Sequence, residues 1–143
     1  MSPARAAITA LVHAYAERLD AGDLAGVAAL FANATYGAES GPVRKGEAAV
    51  LAALRSAVIL HDGLPRTKHV LTNLFVAVDA DAGTAVAHSS FTVLQATPAL
   101  PLQVVIAGRY RDGFRQARGE WEFAERRIHL DMVGELREHV RRA

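Results

Sequence analysis

The chain has 143 residues, and at ~150 residues per domain that length predicts a single domain over 1–143. With 51% hydrophobic residues it can bury a core, and the absence of cysteine excludes disulfides and cysteine-ligated metal sites. Sixteen basic against fifteen acidic residues leave a formal charge of +1, which argues against nucleic acid as a partner, although Arg137, Arg141 and Arg142 make the end of the chain locally basic.

The first thirty residues do not read as an export signal, because the apolar stretch from Ala6 to Ala16 is broken by Thr9, His13 and Tyr15 and continues as an amphipathic pattern. No run approaches the ~20 apolar residues of a membrane span, so a cytoplasmic protein without a membrane partner is expected. Ser2 as N-cap and Pro3 at the first helical position open a helix with Ile8, Leu11, Val12, Tyr15 and Leu19 along one face, and Gly22 can close it in the left-handed conformation. Asp23 then caps a short second helix carrying Leu24, Val27, Leu30 and Phe31. Asn33 to Gly37 reads as a turn or a short extended piece, and Gly41-Pro42 marks a loop. From Gly46 to about His61 helix formers return, with Val50, Leu51, Leu54 and Val58 on one side and Gly63 and Pro65 as the stop.

After Pro65 the apolar period changes to the alternation of strands. Thr67 to Asp79, Thr84 to Gln95, Gln103 to Phe114 and Trp121 to Met132 are rich in Val, Ile, Thr and aromatic residues and are separated by turn residues, which predicts an antiparallel meander. Helices first and strands after give an α+β fold, three helices laid on one face of a curved sheet. In Thr67 to Asp79 both alternate sets are largely apolar, Val70, Leu74, Val76 and Val78 on one side and Leu71, Phe75 and Ala77 on the other. A single domain has no further layer to cover both faces, so a homodimer or higher homo-oligomer is expected.

No phosphate loop, dinucleotide fingerprint, serine elbow or zinc-protease helix is present. Asp79-Ala-Asp81-Ala-Gly83 begins like a calcium loop, but Ser90 stands where the bidentate glutamate belongs. Chemistry must come from side chains that meet in space. Asp20 is an oddity: it falls in the last turn of the first helix, where the dipole disfavours a carboxylate by ~0.3–1 kcal/mol. It is either a solvated helix-end residue or a carboxylate at a pocket mouth. His69 opens the first long strand, as a hydrogen-bonded structural residue or an acid–base group. His88 forms a polar strip with Ser90 and Thr92, which faces water or lines a polar cavity. His129 and Asp131 share one face of the last strand, with Arg126, Ile128 and Leu130 on the other unless a bulge intervenes. A metal site from His69, His88 and a carboxylate has no supporting ligand spacing, and none is expected. Tyr15, Tyr36 and Tyr110 can polarise a carbonyl, although Tyr15 lies on the core stripe.

The order of elements, with Tyr15-Ala-Glu-Arg-Leu-Asp-Ala-Gly-Asp-Leu-Ala-Gly-Val-Ala-Ala-Leu-Phe31, His69-Val-Leu-Thr-Asn73, Gly108-Arg-Tyr-Arg-Asp112 and Gly119-Glu-Trp-Glu-Phe123, resembles the SnoaL-like branch of the nuclear transport factor 2-like superfamily over nearly the whole chain. The resemblance implies a cone-shaped fold enclosing a deep, mostly apolar pocket for a small hydrophobic molecule bearing a hydroxyl or carbonyl. Scytalone dehydratase and hexachlorocyclohexane dehydrochlorinase in that superfamily use an aspartate at the end of the first helix and a histidine at the start of the first long strand. Asp20 and His69 occupy the matching places, which implies cofactor-free proton abstraction by His69 with Asp20 setting its tautomer. Tyr36, Tyr110, His88 or Arg126 are then candidate donors to a developing oxyanion or leaving group, Tyr15 and His129 further substrate-binding candidates, and His88 the counterpart of a second histidine. Arg126 enters through the dehydrochlorinase-like relatives, and Arg127 or His129 replaces it if the last strand is shifted by one. The alternatives are a non-catalytic ligand-binding or oligomerisation module and a structural subunit resembling the small chain of ring-hydroxylating dioxygenases.

Overall fold

In the computed structural model, which describes residues 2–141, the first helix, α1 (Pro3–Asp20), begins at Ser2, whose hydroxyl accepts from the Arg5 amide at 3.2 Å. Arg142, one of the basic residues at the end of the sequence, lies outside the described residues. Ile8, Val12, Tyr15, Ala16 and Leu19 form the buried face of α1. Gly22 follows at φ 77°, and a Cβ there would fall on the Gly63 carbonyl, so the turn requires glycine twice over. The Asp23 carboxylate accepts from the Gly26 amide at 2.8 Å and starts α2 (Leu24–Ala29). β1 (Thr35–Ala38) and β2 (Val43–Lys45) then pair around Gly41-Pro42. The extended piece at β1 was an open possibility in the sequence, whereas β2 is three exposed residues with no apolar alternation to mark it.

The third helix, α3 (Glu47–Ala57), stops four residues before the predicted end at His61. The cause is tertiary pairing. Val58 is extended and bridges Val140, while the Ile59 amide donates to the His139 carbonyl at 2.9 Å, so the end of the chain claims this segment for itself. Four long strands follow: β3 (Thr67–Asp79), β4 (Thr84–Thr97), β5 (Leu100–Ala117) and β6 (Glu120–Val133). The sheet order is β2-β1-β6-β5-β4-β3, antiparallel throughout except for the parallel β1–β6 pair. The result is an α+β fold with helices on one face of a curved, mostly antiparallel six-stranded sheet.

Two bulges decide which side chains face inward. In β3 the register shifts between Thr72 and Phe75, and Asn73 takes up the extra residue at φ 54°. Strict alternation therefore fails there: Thr67, His69 and Leu71 point inward before the bulge, and Leu74 and Val76 after it. Part of the two-faced apolar pattern of β3 is this change of parity. In β6 the shift lies beside Phe123, which passes the inward positions to Arg126, Ile128 and Leu130. The core runs from Ile8, Val12 and Tyr15 of α1 through Phe31 and Val50 to Phe91, Tyr110, Phe114 and Phe123 of the sheet.

Candidate functional site

The end of α1 and the start of β3 bring Asp20 against His69. Asp20 Oδ1 lies 2.6 Å from His69 Nδ1 and accepts from the Thr67 hydroxyl at 2.9 Å, while Oδ2 accepts from the His69 amide at 2.8 Å. Burial alone opposes ionisation of Asp20, but the bonds from His69 and Thr67 outweigh it and hold the carboxyl below its ordinary range. An ionised carboxylate only accepts, so Nδ1 carries the hydrogen and Nε2 of a neutral His69 is left as the free base. The dipole cost at the end of α1 is thereby offset by three local donors.

His69 stands on the wall of a cavity of about 290 Å³ between α1, α3, the sheet and the end of the chain. Leu19, Leu54, Phe91, Ile106, Ile128 and Leu130 make most of the wall apolar. Its polar groups among the described residues are the imidazoles of His69 and His139 and the hydroxyls of Tyr15, Tyr36 and Tyr110, with no Asp, Glu, Lys or Arg. Tyr15 and Tyr36 share a 2.6 Å hydroxyl–hydroxyl bond, which leaves one of the two hydrogens for a ligand. Burial raises the phenol of Tyr15 above its usual value and those of Tyr36 and Tyr110 well above it, so all three are protonated donors. A wider groove of about 760 Å³ runs along α1 to Trp121, but its lining is rich in alanine and holds no histidine. Among the described residues no three His, Cys, Asp or Glu side chains stand together in a metal-holding arrangement.

The other candidates separate by face. Arg126 points inward but does not line the cavity: it is sealed beneath it, bonded to Asp112 at 2.8 and 2.9 Å, with its guanidinium carbon 3.7 Å from the Tyr110 ring centre and 4.4 Å from that of Tyr15. Asp112 overrides the burial that would disfavour its charge and holds it protonated. It supports the tyrosine wall and is not itself a donor to the cavity. His88 projects from the outer face of β4, beside Phe75 with ring centres 6.3 Å apart, and the expectation that it is the second histidine of the pocket is corrected. His129 is likewise on the outer face, 2.9 Å from Glu39, and Arg127 reaches the Glu39 carbonyl at 2.9 Å, so neither replaces Arg126 on the inside. The second imidazole of the cavity is His139, which the sequence reading missed. Its only local signal was Leu136 and Val140 flanking it four residues apart.

The SnoaL-like domain model matches residues 1–127 of the chain. No curated protein matches it. A solved structure of a protein of unknown function from Mycobacterium tuberculosis is similar at 26% identity, covering 91% of this chain and 77% of that one, with a TM-score of 0.73. A scytalone dehydratase-like protein from Novosphingobium aromaticivorans is similar at 20% identity over 92% of this chain and 86% of that one, TM-score 0.73. A protein from the same organism, described as the beta subunit of an aromatic-ring-hydroxylating dioxygenase, is similar at 20% identity over 92% and 91%, TM-score 0.72.

Proposed function

The chain belongs to the SnoaL-like domain family, and from that premise we propose that it is a lyase, isomerase or cyclase working by acid–base catalysis on a small, neutral, hydrophobic molecule with a hydroxyl or carbonyl group. The observation that carries the reading is the 2.6 Å contact between His69 Nδ1 and Asp20 at the wall of an apolar cavity. Asp20 fixes the tautomer, His69 Nε2 removes a proton next to the activating group, and Asp20 stabilises the imidazolium that forms. Among the described residues the wall carries no charged side chain, which suits a neutral ligand, since a carboxylate would be desolvated there without a partner. A hydroxyl of the Tyr15–Tyr36 pair supplies a donor to the ligand oxygen.

The test is exchange of the α-protons of 2-indanone, a neutral ketone within the cavity's size, in D2O by proton NMR. The wild-type protein is expected to exceed the buffer rate, and His69→Ala to lose about 10²–10⁴-fold. Equal rates for wild type and His69→Ala overturn the reading.

A homodimer through the outer face of the sheet completes the proposal. A further register shift in β6, between Leu130 and Met132, turns Met132 outward, and Leu102 and Met132 are 71% and 68% exposed there, beside exposed Val104. Sedimentation at micromolar concentration is expected to show a dimer or larger, and a monomer refutes it. The same face, with the fold of the dioxygenase beta subunit, supports a second reading as a structural subunit. A stable homo-oligomer that turns over a ketone counts against that alternative. A cytoplasmic location suits a chain without cysteine.

A further inference from the structure

We propose that His139, on the segment after β6, is a second substrate-touching residue of this cavity, hydrogen-bonding the oxygen of the bound molecule while His69 moves the proton. The proposal rests on the reading of His69 as the base. It concerns a part of the chain beyond residues 1–127 of the family match.

Several bonds hold the segment in place. The His139 carbonyl accepts from the Ile59 amide at 2.9 Å, the Arg141 amide donates to the Ala57 carbonyl at 2.8 Å, and the Arg141 guanidinium donates to the Val58 carbonyl at 2.7 Å. Glu138, next to His139, is gripped from both ends: its carbonyl accepts from Gln95 at 2.9 Å and its carboxylate from the Thr97 hydroxyl at 2.8 Å. Chain ends without such ties are poorly ordered, and these ties set one ring on the cavity wall.

That ring is 5% exposed, and its Nδ1 is closed to solvent with no hydrogen-bond partner among the described residues, so a turn of the ring brings it to a molecule in the cavity. Buried polar atoms are nearly always paired, and an unpaired one beside a cavity calls for a ligand that pairs it. The ring centre lies 6.3 Å from that of His69, so one small molecule reaches both. Tyr15 and Tyr36 share one hydroxyl bond and so offer the ligand oxygen a single hydrogen between them, which leaves room for a second donor. Burial, reinforced by His69, lowers the His139 pKa to about 4, which keeps the imidazole neutral at neutral pH. A neutral ring donates a hydrogen bond without adding a positive charge beside the imidazolium that His69 becomes.

In enolisation, His69 Nε2 takes the proton from carbon, the C–H electron pair becomes a C=C bond and the carbonyl pair moves onto oxygen. His139 N–H hydrogen-bonds that oxygen and keeps its own proton. The proton on His69 then returns to another carbon, giving an isomer, or the enolate re-forms its carbonyl and expels hydroxide, which takes that proton and leaves as water.

The 2-indanone assay is run on wild type, His69→Ala, His139→Phe and His139→Gln, with NMR of the histidine ring protons during addition of 2-indanone. His139→Phe is expected to lower kcat about 10²–10³-fold with KM changed less than about threefold, and His139→Gln, which keeps an N–H, to recover part of the loss. The His139 ring signals are expected to move on addition of the ketone in wild type and in His69→Ala. His139→Phe as fast as wild type while His69→Ala is inactive overturns the role of His139 and leaves the His69 reading intact. If wild type does not exceed the buffer rate, the His69 reading falls and the ring signals decide: unmoved at the solubility limit of 2-indanone, they overturn this proposal too.

Discussion

Two arginine–aspartate pairs tie β5 to β6 from opposite faces of the sheet. Inside, Arg126 Nε and Nη2 donate to Asp112 at 2.8 and 2.9 Å, and outside, Arg109 Nε and Nη2 donate to Asp131 at 2.9 and 2.9 Å. The chemistry is the same and the surroundings are not. Both inner side chains are 0% exposed, whereas Arg109 and Asp131 are 53% and 34% exposed. Removing two charges from water costs several kcal/mol per ion, which the inner pair recovers through its own contact and through the ring faces of Tyr15 and Tyr110. The outer pair remains hydrated and screened. A lost partner or an added proton is therefore felt strongly on the inner face and weakly on the outer, and the Asp20–His69 site is built on the face where such differences count.

The largest effect is expected from breaking the inner pair. Asp112→Ala strands a buried guanidinium and is expected to cost about 3–5 kcal/mol in urea unfolding, while joint replacement by Asp112→Leu and Arg126→Met recovers most of it. A cost below about 1 kcal/mol for the single change breaks the comparison. Acid comes next. Because the folded-state pKa of His139 is lowered from 6.5 to about 4, the unfolded chain binds the extra proton first as pH falls. The contribution of His139 to stability is then constant above pH 6.5 and is lost between 6.5 and about 4, by on the order of 3 kcal/mol. Asp20, held below its ordinary 3.8, adds stability that is present above that value and is lost as pH falls through its lowered pKa. Urea midpoints across this range are expected to fall in wild type and to lose the upper part of the decline in His139→Phe; an unchanged slope sinks the assignment.

How much of this was legible depends on how local each cause is. The caps at Ser2 and Asp23, the left-handed Gly22 and the long strands were readable because neighbouring residues fix them. The early end of α3 was not, because it is set by the end of the chain pairing with Val58 and Ile59. Asp20 was visible as a carboxylate at the wrong end of a helix dipole, and resemblance supplied its partner. Which histidine faces inward hangs on register, and a one-residue slip moves every following side chain to the other face. The bulges at Asn73 and beside Phe123 are such slips, and they reassign the faces of β3 and β6. His88 carried no bulge of its own, and the polar strip it forms was as compatible with water as with a cavity. His139 enters the site only because its segment folds back, which no periodicity announces.

The smallest effect sharpens the comparison most. Asp131→Ala removes a carboxylate that Arg109 grips bidentately and that lies 3.3 Å from His129, yet an exposed, hydrated pair contributes little. A loss that is a small fraction of that of Asp112→Ala, smaller still at high salt, is the expected result from urea unfolding of protein dilute enough to be monomeric. At concentrations where the proposed homodimer forms, a second copy of the chain seated on Leu102 and Met132 shields the pair, and the loss is expected to grow with protein concentration. One weak ion pair thus reports whether the two faces differ in solution as they do in the isolated chain.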